Sequence, residues 1–176
     1  MKNRGFSLLE LMVVVLIIGI LVTMSAVSFN NMVGRGRIKG EADQISREVL
    51  NARERSIGQG RTIDLVFTPN AGNRLVVTIN VIDTLVITTV LPAFSACQVG
   101  VLPTVNQRVP ESSQLAGPPP AAVDFNGGNT CRFQPQGTGT PGAVYFVSLN
   151  GRYQYAVGVN ANGRVRRWEW SGTAWN

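Results

Sequence analysis

The chain of 176 residues contains no histidine. That removes the commonest general base and the commonest metal ligand. Only two cysteines are present, Cys97 and Cys131, and two separated thiols cannot make a zinc site of the usual kind. There is no glycine-rich phosphate loop and no Gly-x-Ser-x-Gly turn, and nothing groups the serines, aspartates and arginines into a catalytic set. The sequence therefore reads as a non-enzyme with no cofactor and no metal. No internal repeat is visible. Charge is missing most clearly from Leu11 to Phe29, a run without Asp, Glu, Lys or Arg. As a helix rising about 1.5 Å per residue, that run spans roughly 28 Å, close to the thickness of a bilayer core.

What surrounds the run narrows its meaning. A short basic leader, Met1-Lys2-Asn3-Arg4-Gly5, precedes it, and one carboxylate, Glu10, stands at its leading edge. A secretory signal peptide has a shorter apolar core and a small-residue cleavage site after it, and nothing beyond Phe29 supplies one. A plain membrane anchor fits the length but leaves Glu10 unexplained. An ionisable group at membrane depth costs a few kcal/mol and is a functional candidate by default. Lys2 and Arg4 hold the start of the chain on the cytoplasmic side.

Gly5-Phe6-Ser7-Leu8-Leu9-Glu10 and the apolar run after it resemble the class III signal of type IV pilins and type II secretion pseudopilins. The resemblance covers about the first thirty residues. It implies cleavage between Gly5 and Phe6 by a prepilin peptidase, N-methylation of Phe6, and a role for Glu10 in assembly. It also implies a single pass through the bacterial inner membrane, and later entry into a pilus or periplasmic filament beside other pilins or pseudopilins. Losing Lys2 and Arg4 with the leader takes sixteen basic residues to fourteen against ten acidic, a balance of +4. That permits an anionic partner without demanding one. In an exported head the even cysteine count suggests a Cys97–Cys131 disulfide, worth roughly 4 kcal/mol in the chain-entropy model. The alternative is two buried free thiols.

The expected organisation is a leader at 1–5, a transmembrane and assembly helix at 6–29, its amphipathic continuation at 30–58, and a soluble β-rich head at 59–176. Ile38, Ala42, Ile45, Val49 and Ala52 recur at helical spacing and share one face, with charges filling the other positions. Gly34, Gly36 and Gly40 weaken the join, since glycine costs about 1 kcal/mol relative to alanine inside a helix; they mark either a loose turn or a hinge. Gly58 and Gly60 end the helix. Strands follow at Thr62–Phe67, Arg74–Ile82 and Leu85–Leu91, an antiparallel meander rich in Val, Ile, Leu and Thr. Proline punctuates 92–122, expected as a long surface loop with at most one short strand near Cys97. Strands resume at Ala122–Phe125, Cys131–Gln134, Ala143–Leu149, Tyr153–Val159 and Arg164–Trp170, with Asn150-Gly151 and Asn162-Gly163 as tight turns. The fold class is α+β: a long N-terminal transmembrane helix, then an antiparallel sheet or sandwich head packed on the helix's C-terminal half.

A long helix with an all-β head and a last strand entered through Asn162-Gly163-Arg164-Val165-Arg166 looks like the GspH/FimT group of minor pilins and pseudopilins. Gly163-Arg164-Val165-Arg166 resembles the DNA-contacting loop of FimT-type minor pilins. Arg167 follows it, Arg132 and Arg152 are candidate neighbours, and Trp168, Trp170 and Trp175 interleave. From Cys131 to the end there are five arginines and one acid, Glu169. Arginines neutralise phosphates and indoles stack on exposed bases, so the hairpin is a candidate DNA-binding site. The competing reading is a solvated edge strand whose charges discourage aggregation. The expectation is a minor type IV pilin that contributes to pilus assembly, with DNA as a partner in natural transformation. The alternative is a GspH-like pseudopilin of a type II secretion system with a purely structural role.

Overall fold

The structure, a computed structural model, describes residues 8–70, 74–81, 85–90, 97–99, 107–112, 119, 121–126, 128–148 and 151–176. Its side chains are described in those segments except at 24–31, 34, 69, 70, 74–76, 81, 85–90 and 97–99. Gly5 and Phe6 lie outside the described residues. So do residues 71–73 and most of the proline-rich stretch between 91 and 118.

One helix, α1, runs from Leu8 to Gln59. It passes unbroken through Gly34, Gly36 and Gly40, although the chain divides into two compact units at Gly36. A Cβ built at Gly36 or Gly40 would meet nothing within 4 Å, so close packing inside the chain does not require glycine there. In the first unit the large apolar side chains from Leu8 to Val22 are exposed. Among the described residues no helix is long and apolar enough to cross a membrane. In the second unit Ile38, Ala42, Ile45, Val49 and Ala52 are at most 1% exposed, so the expected stripe is the buried one. The helix stops one residue after Gly58, with Gly60 at φ 62°. Gly60 N donates to Ile57 O at 3.3 Å and Arg61 N to Ser56 O at 3.2 Å. This pair of bonds closes a Schellman turn, which needs a residue in the left-handed region.

Among the described residues the head has nine strands: β1 Ile63–Asn70, β2 Arg74–Val81, β3 Leu85–Val90, β4 Cys97–Val99, β5 Val123–Phe125, β6 Thr130–Phe133, β7 Gly142–Ser148, β8 Gln154–Val159 and β9 Val165–Glu169. They form two antiparallel sheets. The first is four-stranded in the order β3-β2-β1-β6. The second runs β4-β7-β8-β9, with β5 also paired to β7. Alternation along β1 buries Ile63, Leu65 and Phe67 and leaves Asp64 and Val66 half-exposed, the pattern of a sheet with one apolar face. The main core joins the helix stripe to Phe67, Ile79 and Phe133 of the first sheet and to Phe146, Tyr155 and Val157 of the second.

Two expectations need correction. The first is the disulfide. Cys131 is a free, fully buried thiol. It sits on β6 opposite Leu65 of the first sheet, whereas the backbone of Cys97 pairs with Ser148 in the second. Burial, with the nearby Asp64 charge adding to it, pushes the Cys131 thiol far up, so it stays protonated. The second is the surface loop at 92–122. It does contain one short strand, β4, but residues 107–112 do not float over the surface. Val109 is fully buried and Ser112 is 5% exposed, because this segment, including the 3-10 turn Pro110–Ser112, covers the outer face of the second sheet. There Val109, Ala143, Tyr145, Ala156 and Trp175 form a second small core.

Candidate functional site

The arginine-bearing hairpin is built from β8, a turn at 160–163, and β9. Gly163 N donates to Asn160 O at 2.8 Å, and Arg164 N donates to the Asn160 side-chain oxygen at 2.8 Å. Gly163 is buried at φ 70°, where any side chain is strained. A Cβ there would also collide with the Gly137 carbonyl oxygen and press on Arg53 Nε. That same carbonyl accepts a hydrogen bond from Arg53 Nε at 3.1 Å, and Gly139 N donates to Ala161 O at 3.0 Å. The glycine of the Gly-Arg-x-Arg stretch thus fits a junction between helix, loop and turn.

The cations around it are mostly engaged. Arg167 Nη1 pairs with Asp43 of α1. Arg166 lies 3.9 Å from Glu111 and places its guanidinium 5.7 Å from the Trp168 ring centre. Register explains the split: Arg166 sits opposite Gly158 and Trp168 opposite Ala156 on the outer face, while Arg167 sits opposite Val157 on the helix side. Arg132, on β6 in the other sheet, holds Asp64 bidentately at 2.7 and 2.8 Å, geometry suited to a guanidinium–carboxylate pair. Arg164 is exposed and has no acidic partner among the described residues. Arg152 is exposed at the opposite end of β8. The structure therefore brings Gly163, Arg164, Arg166 and Arg167 together on one hairpin but leaves Arg132 on a different sheet.

The tryptophans are committed to packing. Trp175 is 7% exposed, and its indole N–H donates to the Gln107 carbonyl at 2.9 Å. Its ring meets Trp170 edge-on at 5.2 Å and Tyr145 at 5.8 Å. Trp168 donates its indole N–H to Glu111. Stacking of a base on Trp175 would require the small outer core to open, whereas Trp168 and Trp170 are partly buried against it.

That outer core is a feature the sequence reading missed. Tyr145 OH accepts from Val109 N at 3.3 Å and lies 3.5 Å from Ser112 Oγ. Burial pushes the Tyr145 phenol up, with these hydrogen bonds pulling the other way. The available signal was the unbroken apolar character of Ala143–Val147 and Tyr155–Val159, since strands buried on both faces do not alternate.

At the other end of the chain, Glu10 lies in the first turn of α1 and is exposed. Among the described residues no group of three His, Cys, Asp or Glu side chains could hold a metal ion.

Fold and termini meet in one class of protein. The model of the family "Type II transport protein GspH" matches residues 41–163, and that of the "Prokaryotic N-terminal methylation motif" matches residues 1–26. The chain belongs to the GspH family, a family of pilin-like structural subunits and not of enzymes. Among solved structures it is similar to the minor pseudopilin EpsH from the type 2 secretion system of Vibrio cholerae. The two share 14% identity with a TM-score of 0.46, over 73% of this chain and 94% of that one. No curated protein matches the chain.

Proposed function

We propose that the chain is a minor, non-catalytic subunit of a type IV pilin-like filament, either a pilus or a type II secretion pseudopilus. In this reading prepilin peptidase cuts after Gly5, Phe6 becomes the methylated N-terminus, and the apolar run from Leu11 to Phe29 holds the subunit in the inner membrane until assembly. Glu10 then pairs with the Phe6 amine, its own or a neighbour's, because an unpaired charge in an apolar bundle is costly. The observation that carries the reading is the joint match on one chain: a methylation motif over residues 1–26 ahead of a GspH head over residues 41–163.

A DNA-binding role for the hairpin has narrower support. It rests on the exposed Arg164. Arg132, Arg166 and Arg167 would have to leave Asp64, Glu111 and Asp43 to serve phosphates. We therefore place the function in filament assembly. The experiment is Gly5→Val in the full chain: a peptidase that reads a small residue before Phe6 has no room for a branched side chain. The variant should accumulate as uncleaved precursor on a gel. Normal maturation would overturn the reading.

A further inference from the structure

Charge is spread unevenly along α1. After Glu10 the next charged residues are Arg35, Arg37 and Lys39, and the next acid is Glu41. Three cations in five positions thus follow directly on the uncharged stretch read above as the membrane anchor. The apolar pair Met32 and Val33 leads into them. Arg37 and Lys39 stand at the start of the second compact unit, and both are exposed. Ile38 between them is 1% exposed and belongs to the main core.

Helix geometry sets what these two cations face. Successive residues turn by about 100°, so Arg37 and Lys39 flank the buried Ile38 on opposite sides and do not share a face. That arrangement does not suit one flat partner surface. It suits a layer of anions surrounding the helix. Every Cα–Cβ bond of an α-helix tilts toward its N-terminus, which here is toward the apolar run. The eight residues from Phe29 to Arg37 cover about 12 Å as helix, and the headgroup layer outside a bilayer core is roughly 5–8 Å deep. Long basic side chains leaning back over the remaining distance keep their stems on apolar surface and their charges among phosphates.

We propose that Arg37 and Lys39 form a binding surface for the phosphate headgroups of anionic lipids, on the membrane face from which the head projects. The inference rests on the membrane anchoring proposed above. Headgroup binding at this turn fixes how deep the anchor sits before assembly.

The test is native mass spectrometry of the full chain, extracted in detergent, stripped of lipid and offered equal amounts of phosphatidylglycerol and phosphatidylcholine. Each cation at an anionic lipid surface contributes about fivefold in affinity, so the wild-type chain should retain phosphatidylglycerol over phosphatidylcholine by about tenfold or more. Arg37→Gln with Lys39→Gln should bring the two lipids to parity at an unchanged melting temperature. Arg37→Lys with Lys39→Arg, which keeps both charges, should keep the preference. Arg55→Gln, which removes an exposed cation of the same helix far from the apolar run, should keep it too. Inorganic phosphate at matched ionic strength should not displace the lipid. The proposal is overturned by any one of five results: no preference in the wild-type chain, an undiminished preference in the double glutamine variant, loss of preference in the charge-keeping variant, an equal loss in Arg55→Gln, or displacement by inorganic phosphate. Wild-type chain recovered from cells in the soluble fraction rather than with the membranes would instead bring down the anchoring reading, and this inference with it.

Discussion

Gly163 shows how a residue that looks functional can be fixed by packing. Its φ of 70° and the Gly137 carbonyl against it leave no space for a methyl group. Gly163→Ala should destabilise the head by on the order of 2 kcal/mol or more, read as a lowered melting temperature, before any effect on a ligand is considered. An unchanged melt would show that the junction with Arg53 and Gly137 relaxes freely. Cys131 makes the second residue-level prediction. Its thiol is held neutral in the folded state, while in the unfolded chain it titrates from its ordinary value of 9.0. The buried Tyr145 phenol does the same from 10.0. Both folded values are raised, so their stabilisation is fully present below about pH 9 and is lost as pH rises beyond it. Denaturant melts across pH 7 to 11 should show that loss, beginning at higher pH in Cys131→Ala. Thiol labelling without reductant should mark Cys131 only after unfolding; no labelling of the unfolded chain would restore the disulfide.

At the scale of elements, the segment over the second sheet depends on Glu111. Its side chain is 5% exposed, it accepts a hydrogen bond from the indole N–H of Trp168, and Arg166 lies nearby. Glu111→Ala would leave a partly buried indole N–H without an acceptor, at a cost of about 1–3 kcal/mol. Glu111→Gln, which keeps an acceptor, should cost less, and equal melts for the two variants would remove this anchor from the account. The elements divide clearly by how legible they were. The helix stripe from Ile38 to Ala52 could be read because helical spacing and burial coincide. Among the described strands all but β4 fell where β-branched runs and Asn-Gly or Asp-Thr turns put them, within three residues at each end; β4 was foreseen only as a short strand near Cys97. Residues 107–112 could not be read as buried, because what buries Val109 is the outer face of β7 and β8, far away in sequence. The ion pairs Arg132–Asp64 and Arg167–Asp43 were hidden for the same reason. A local excess of arginine looks like a phosphate site until the fold supplies acids from other elements.

For the whole molecule, these pairings move the weight from the C-terminal hairpin to the N-terminal motif and the helix that follows it. The apolar residues from Leu8 to Val22 are exposed in the isolated chain, and a filament bundle would give them partners. The central claim is that this chain is processed and built into such a filament. Mass spectrometry of the N-terminal peptide of the chain recovered from sheared filaments tests it most directly. The account predicts a terminus at Phe6 bearing one methyl group. A chain beginning at Met1, or one missing from filaments that otherwise form normally, would contradict it.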